Sequence, residues 1–170
     1  MLSKKMSEAL NKQINAELYS SYLYLSMAAY FESANMSGMA SWMRIQAEEE
    51  KAHGMKFFDF IVDRGGRVVL DAIGAPETEW ASPLAAFEGA YAHEQKVTGM
   101  IHDLVKLARD GGDAATDIFL QWFVTEQVEE EKSADEVVQK LKMVKDTPHA
   151  LLTMDRELGQ RQAEGESAES

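Results

Sequence analysis

The sequence predicts an all-α protein: a four-helix bundle with a long crossover between its second and third helices, followed by a short fifth helix. Three observations carry that expectation. Apolar residues recur at seven-residue steps along four long segments, which is the pattern of helices buried on one side. All three prolines, Pro76, Pro83 and Pro148, fall outside those segments. The one long aperiodic connection lies between the second and third segments, where antiparallel neighbours would need only a short turn.

The first helix is expected from about Ser7 to Ala34, stopped by Asn35-Met36-Ser37-Gly38. The second runs from about Met39 to Arg64 and ends at Gly65-Gly66, a glycine stop. Residues 67–82 carry Val68-Val69-Leu70, Gly74 and Pro76 without helical period and read as extended. Pro83 suits the first turn of a third helix that reaches Asp110 and is closed by Gly111-Gly112. The fourth starts near Asp113 and runs to about Lys145, and the fifth begins at Thr147-Pro148 and fades before Gly159. One domain, residues 1–158, is expected, with 159–170 a polar, disordered tail.

Composition narrows the chemistry. The 170 residues contain no Cys, which excludes a disulfide framework, a zinc ribbon, an iron–sulfur site and a thiol nucleophile, and leaves oxygen and imidazole as metal ligands. A formal charge of −12 argues against general nucleic-acid binding, which needs Lys and Arg to displace counterions, and favours cations as partners. No apolar run approaches the roughly 20 residues of a membrane span, and the start lacks the apolar stretch of a leader, so the expected location is the cytoplasm.

The helical seams carry an anomaly. Leu10, Glu17 and Tyr24 share one line of the first helix, and Met43, Glu50 and Phe57, with His53 and Phe60, one stripe of the second. The third gives Phe87, Glu94 and Ile101, and the fourth Phe123, Glu130 and Val137, flanked by Leu120, Gln127, Ala134 and Leu141. In each helix, near its middle, a Glu replaces an apolar seam residue. Four carboxylates at similar depth, with no Lys or Arg on the same lines, must either be partly protonated or bind a cation, because a buried unpaired carboxylate costs several kcal/mol.

The spacing sharpens this reading. Glu17 plus 33 is Glu50 and plus 36 is His53, while Glu94 plus 33 is Gln127 and plus 36 is Glu130. Two helical hairpins, offset by 77 residues, thus repeat one pattern: a carboxylate from the first helix and an i, i+3 pair from the second. Two related half-sites suggest two metal ions. Polar seam residues that serve only to fix register usually occur singly.

These residues carry a resemblance. Asn15-Ala16-Glu17-Leu18-Tyr19 with Tyr24, Glu48-Glu49-Glu50-Lys51-Ala52-His53, Glu94 and the run from Trp122 to Glu131 resemble the non-haem ferritins of bacteria and archaea, over Leu2 to about Leu158. The resemblance implies a ferritin-like fold and a ferroxidase centre. In it Glu17, Glu50 and His53 hold one iron, Glu50, Glu94 and Glu130 the second, with Glu50 bridging and Gln127 beside the pair. It implies a third iron position at Glu49, Glu126 and Glu129, with Glu130 shared, and a tyrosine, Tyr24, that supplies an electron to oxygen, with Trp122 a nearby candidate for that role. Glu48-Glu49-Glu50 and Glu129-Glu130-Glu131 are also charge runs of the kind that solvate a helix face, and Tyr24 also suits a core aromatic.

The implied reaction is oxidation of Fe(II) by oxygen or peroxide, followed by storage of ferric oxide mineral. A bridging Glu50 would hold two ions roughly 3.5–4 Å apart. The implied container is a hollow homo-oligomer of 24 subunits, its fourfold axes lined by the fifth helix and its threefold pores near Asp113 and Asp117, which are candidates for the iron route. Acidic residues in a first helical turn are also favoured by the helix dipole. Two departures separate the chain from relatives. Bacterioferritins and rubrerythrins carry a second Glu-x-x-His where this chain has Gln127-x-x-Glu130, so the second iron is expected to be held more weakly. Bacterioferritins take haem through a Met just before the second-helix His, where Ala52 stands here, so no haem is expected. A di-iron peroxidase without storage, a DNA-protecting mini-ferritin and a purely structural bundle are the competing readings. The mini-ferritin reading is disfavoured by ligands on four helices of one chain and by the lack of a basic tail. His93, His102 and His149 lie off the carboxylate lines and are expected at the surface or an interface.

Overall fold

A computed structural model describes residues 2–163. Among them every regular element is a helix: α1 Lys4–Ser33, α2 Ser37–Asp63, α3 Pro83–Asp110, α4 Ala114–Val144 and α5 Pro148–Leu158. The expected elements are all present, with ends shifted by a few residues. α1 begins at Lys4 rather than Ser7 because the Ser3 hydroxyl accepts the Met6 N–H and starts the helix early. Ser82 caps α3 through the Ala85 N–H, with Pro83 in its first turn, and Asp113 caps α4 through the Thr116 N–H.

The first three helices end alike. Asn35, Gly65 and Gly112 each take a positive φ, of 57°, 70° and 64°, and the following N–H bonds back to Phe31, Ile61 and Ala108 respectively. This six-residue closure satisfies carbonyls that a helix end leaves free, and glycine supplies the left-handed conformation without steric cost at two of the three positions.

α1 and α2 form one hairpin and α3 and α4 the other. The connection at 64–82 climbs alongside α1: Asn11 bonds Arg67 and Val69, Asn15 bonds Asp71 and Ala72, and the Ser26 hydroxyl bonds the Glu77 carbonyl. It returns the chain to the end where α2 began, so α2 and α3 run in the same direction. This is the long crossover expected from the sequence.

The interior is two apolar clusters with a polar layer between them. One gathers Tyr24, Met27, Phe31, Trp42, Met43 and Phe87 with Leu141 and the α5 residues Met154 and Leu158. The other gathers Leu10, Ile14, Phe57, Ile61, Ile101 and Phe123. α5 docks on the start of α2, where Asp155 Oδ1 accepts the Met39 N–H at 2.8 Å. Gly38 permits that approach, since a Cβ there would fall 1.7 Å from the Asp155 carbonyl oxygen. The polar tail expected from Gly159 is described as far as residue 163, and within that stretch Arg161 lies against α2; residues 164–170 of the expected tail lie outside the described residues.

Gly38→Ala is therefore expected to push α5 off α2 and cost about 1–3 kcal/mol, the range for overpacking a tight contact. Thermal unfolding measures this, and an unchanged midpoint would mean that α5 is not held through this contact.

Candidate metal centre

Glu17, Glu50, His53, Glu94, Gln127, Glu130 and Tyr24 are all buried, and they meet in the layer between the two clusters. One residue per heptad per helix suffices to aim them inward. Three groups bring ligand atoms within 4.8 Å of one another: Glu17, Glu50 and His53; Glu50, Glu94 and Glu130; and His53, Glu126 and Glu130. Glu50 belongs to the first two, as a shared ligand would. The imidazole of His53 faces both ways, with Nδ1 3.5 Å from Glu50 Oε2 and Nε2 3.9 Å from Glu126 Oε1.

The carboxylates are oriented by amides that the heptad lines did not single out. Gln13 Nε2 donates to Glu17 Oε1 at 2.8 Å, and Gln46 Nε2 donates to Glu50 Oε1 at 3.1 Å and to Glu130 Oε2 at 2.6 Å. A signal was present: Gln13 and Gln46 each precede their Glu by four residues, one helical turn. In the second hairpin the donors differ. Gln127 Nε2 donates to Glu94 Oε2 at 3.2 Å, and the Tyr24 hydroxyl donates to Glu94 Oε1. The internal repeat thus holds for the positions of the site residues and fails for the groups behind them.

Glu17 Oε2 and Glu50 Oε2 are buried with no amide, hydroxyl or backbone donor, and the two carboxyl groups bond one another. Buried carboxylate oxygens without outside donors, beside one imidazole, are a donor set that fits hard or borderline metal ions with oxygen and imidazole preference.

Burial dominates the titration of the cluster. It raises Glu17 from 4.5 to about 7, against the Gln13 hydrogen bond, and Glu130 to about 9, aided by the charge of Glu94 and opposed by Gln46. Glu50 and Glu94 are pushed up by the same desolvation. His53 is lowered from 6.5 to about 4, by burial and then by Lys56, so its ring is neutral and free to ligate at neutral pH.

The outer residues are placed differently. Glu49, Glu126, Glu129 and Glu130 line one cleft at the bundle surface, and Glu129 is exposed. Trp122 packs edge-on against His53, with ring centres 5.4 Å apart, and Lys56 Nζ lies 4.1 Å from the Trp122 ring centre. Asp113 and Asp117, the candidates for an iron route, are bound within the chain, Asp113 to Arg64 and Asp117 to Arg109. His102 and His149 are exposed as expected, whereas His93 is not a surface residue: it is largely buried, sits 2.7 Å from the Ser20 hydroxyl and packs against Tyr19 and Tyr24. Its position one residue before the seam residue Glu94 turns it toward α1 instead of solvent.

A bundle whose middle layer is built from carboxylates and one imidazole has the donor set that a cation would need. Sequence comparison gives the class its family. The ferritin-like domain profile matches residues 7–144, and the chain belongs to the ferritin family. It is 44% identical over 161 residues to a bacterial non-haem ferritin of Bacteroides fragilis, covering 95% of this chain and all of that one. A bacterial non-haem ferritin of Staphylococcus aureus is 39% identical over 161 residues, with 95% and 97% covered. Among solved structures, an open-pore ferritin of the hyperthermophilic archaeon Archaeoglobus fulgidus superposes with a TM-score of 0.94 at 56% identity, covering 95% of this chain and 100% of that one.

The pKa shifts predict how stability depends on pH. The carboxyl groups hold protons in the folded state over 4.5 to about 9 that the unfolded chain has released, so their contribution to stability falls as pH rises through that range. His53 and His93, both lowered to about 4, act in the opposite direction below 6.5. Above 6.5 only the carboxyl effect remains, and the metal-free protein is expected to melt at lower temperature at pH 9 than at pH 7. Adding Zn(II) at pH 7 should raise the melting temperature and release on the order of one or two protons per chain, because ligands must deprotonate to bind. Differential scanning calorimetry and proton-release titration check both, and a flat pH profile without metal would mean that the cluster is hydrated rather than desolvated.

Proposed function

We propose that this chain is an iron-storage ferroxidase, which oxidises Fe(II) at the buried carboxylate and imidazole cluster and stores ferric oxide mineral inside a hollow cytoplasmic shell of its own copies. The observation that carries this reading is the sharing of Glu50 between two three-residue ligand groups in one buried layer. Glu17, Glu50 and His53 hold one Fe(II), and Glu50, Glu94 and Glu130 hold the second, with Gln127 orienting Glu94. Two Fe(II) ions together supply the electron pair that reduces oxygen, with two protons, to hydrogen peroxide, or peroxide to two waters. Carboxylate-rich sites favour the ferric product by offsetting its extra charge. Tyr24, whose hydroxyl touches Glu94, is the residue placed to add a further electron, which with one from a third Fe(II) makes up the four electrons that, with four protons, take oxygen to two waters.

A third iron position at Glu49, Glu126, Glu129 and Glu130 suits the surface cleft, and the ligand group His53, Glu126 and Glu130 connects it to the inner pair. Ala52 is exposed beside the centre and offers no thioether, which fits a protein without haem.

The shell reading draws on the outside of the bundle. Ile118 and Met143 are 75% and 77% exposed, with Val128, Leu152, Tyr22 and Leu25 at half or more. So many large apolar side chains in water signal burial against other copies. No described helix is long and apolar enough to cross a membrane. The relatives named non-haem ferritins and the archaeal open-pore ferritin structure support a homo-oligomeric shell, for which 24 subunits with α5 at the fourfold axes is the arrangement the family resemblance implies.

Glu17→Ala and His53→Ala are each expected to slow the fast phase of Fe(II) oxidation by at least the about 10–100-fold typical of losing even an outer-layer metal contact, with assembly intact. Stopped-flow absorbance in air measures it, and normal rates in both variants would refute the site. Glu129→Ala is expected to change the oxygen-to-iron ratio measured with an oxygen electrode while leaving the fast phase in place. Loading the metal-free protein with excess Fe(II) in air tests storage itself: hundreds of irons should travel with a very large particle on size-exclusion chromatography, and two or three per chain on a small oligomer would leave oxidation without storage.

A further inference from the structure

The cleft formed by Glu49, Glu126, Glu129 and Glu130 already contains a cation, and it belongs to the chain. Arg161, three residues beyond α5, lines that cleft of about 250 Å³. Its Nη2 donates to Glu49 Oε2 at 2.6 Å, its Nη1 donates to Gln46 Oε1 at 2.9 Å, and its guanidinium lies over the Trp42 ring, 4.4 Å from the ring centre. An aromatic face and two differently placed acceptors fix a planar guanidinium more tightly than a surface ion pair does. The pair with Glu49 is also largely shielded, with side chains 21% and 16% exposed.

Arg161 thereby sets the orientation of Gln46. Because the Gln46 carbonyl oxygen accepts from Arg161, its amide nitrogen is left to face Glu50 and Glu130. The opposite orientation would set an oxygen against two carboxylates. One side chain from the C-terminal segment is thus linked, through one amide, to two residues of the inner cluster.

We propose that Arg161 is a tethered counter-ion that occupies the outer carboxylate site when no third divalent cation is there, and that a metal ion binding Glu49 must displace it. Displacement frees Gln46 to turn, so filling of the outer position is communicated to Glu50 and Glu130. Arg161 is a positioning residue in this scheme, and the proposal rests on the reading of the outer cleft as a metal position.

The test is anaerobic isothermal titration of the assembled, metal-free protein with Fe(II), comparing the parent with R161Q, R161K and a chain ending at Gln160. Size-exclusion chromatography first establishes that each particle is intact, and the truncated chain carries the test if R161Q does not assemble. The expected result is a third ion per chain bound about tenfold or more tightly in R161Q and in the truncated chain than in the parent, the scale of losing a charge-assisted competitor. The first two ions should keep their number, and R161K, which keeps the charge but not the planar fork, should fall between the parent and R161Q. Equal third-ion affinity in parent and R161Q would overturn the counter-ion role while leaving the outer site standing. R161K binding the third ion more tightly than R161Q would also overturn it, since the added charge would then not compete. Two ions per chain in every variant would overturn the outer-site reading and the proposal with it.

Discussion

Four glutamates buried at one level of an apolar bundle cannot all be ionised together. Their mutual repulsion in a poorly solvated interior, with Glu17, Glu50, Glu94 and Glu130 all desolvated, forces a choice between taking up protons and taking up cations. Much of the molecule follows from that choice. The core splits into two apolar clusters because the layer between them cannot be apolar. Buried amides, Gln13, Gln46 and Gln127, stand behind the carboxylates to keep them in place while they exchange protons for metal.

The two hairpins supply this layer unequally. The first hairpin contributes the imidazole and two carboxylates, each backed by a glutamine one turn earlier. The second contributes Glu94, backed by the Tyr24 hydroxyl and Gln127, and Glu130, backed by Gln46 from the first hairpin. The neutral, desolvated ring of His53 belongs to the ligand group with Glu17 and to the one with Glu126. Two ions held by such unlike partners would be bound with different strength and geometry, which suits the proposed centre as one that receives iron and passes it on more than one that keeps it.

The helices were legible because their signals are local: heptad lines, prolines outside the periodic segments and glycine pairs at helix ends all act within a few residues of where they stand. The four carboxylates and His53 were legible for the same reason, as polar interruptions of an apolar period. What periodicity could not show was anything reaching the cluster from outside its own helix. Arg161 sits in a polar stretch whose composition reads as a loose tail, and it is held by Gln46, Glu49 and Trp42, more than a hundred residues earlier. His93 was expected at the surface or an interface from its position off the seam, because the seam takes no account of the Ser20 and Tyr24 side chains that enclose it from α1. Asp113 and Asp117 read in the sequence as iron-route candidates or as first-turn acids, and Arg64, just past α2, and Arg109 of α3 pair with them.

The docking of the C-terminal segment has a consequence for the order in which the molecule is made. The bonds that hold it, from Asp155 to Met39 and from Arg161 to Glu49, Gln46 and Trp42, span 112 to 119 residues. None of them can form until the ribosome has released nearly the whole chain. By then α1 and α2, whose mutual contacts are local, have had the time of synthesis to pair. A nascent chain therefore carries Glu17, Glu50 and His53 on a paired α1 and α2 well before Glu130 or Arg161 exists, so the orienting bond from Arg161 through Gln46 is the last part of the layer to be set.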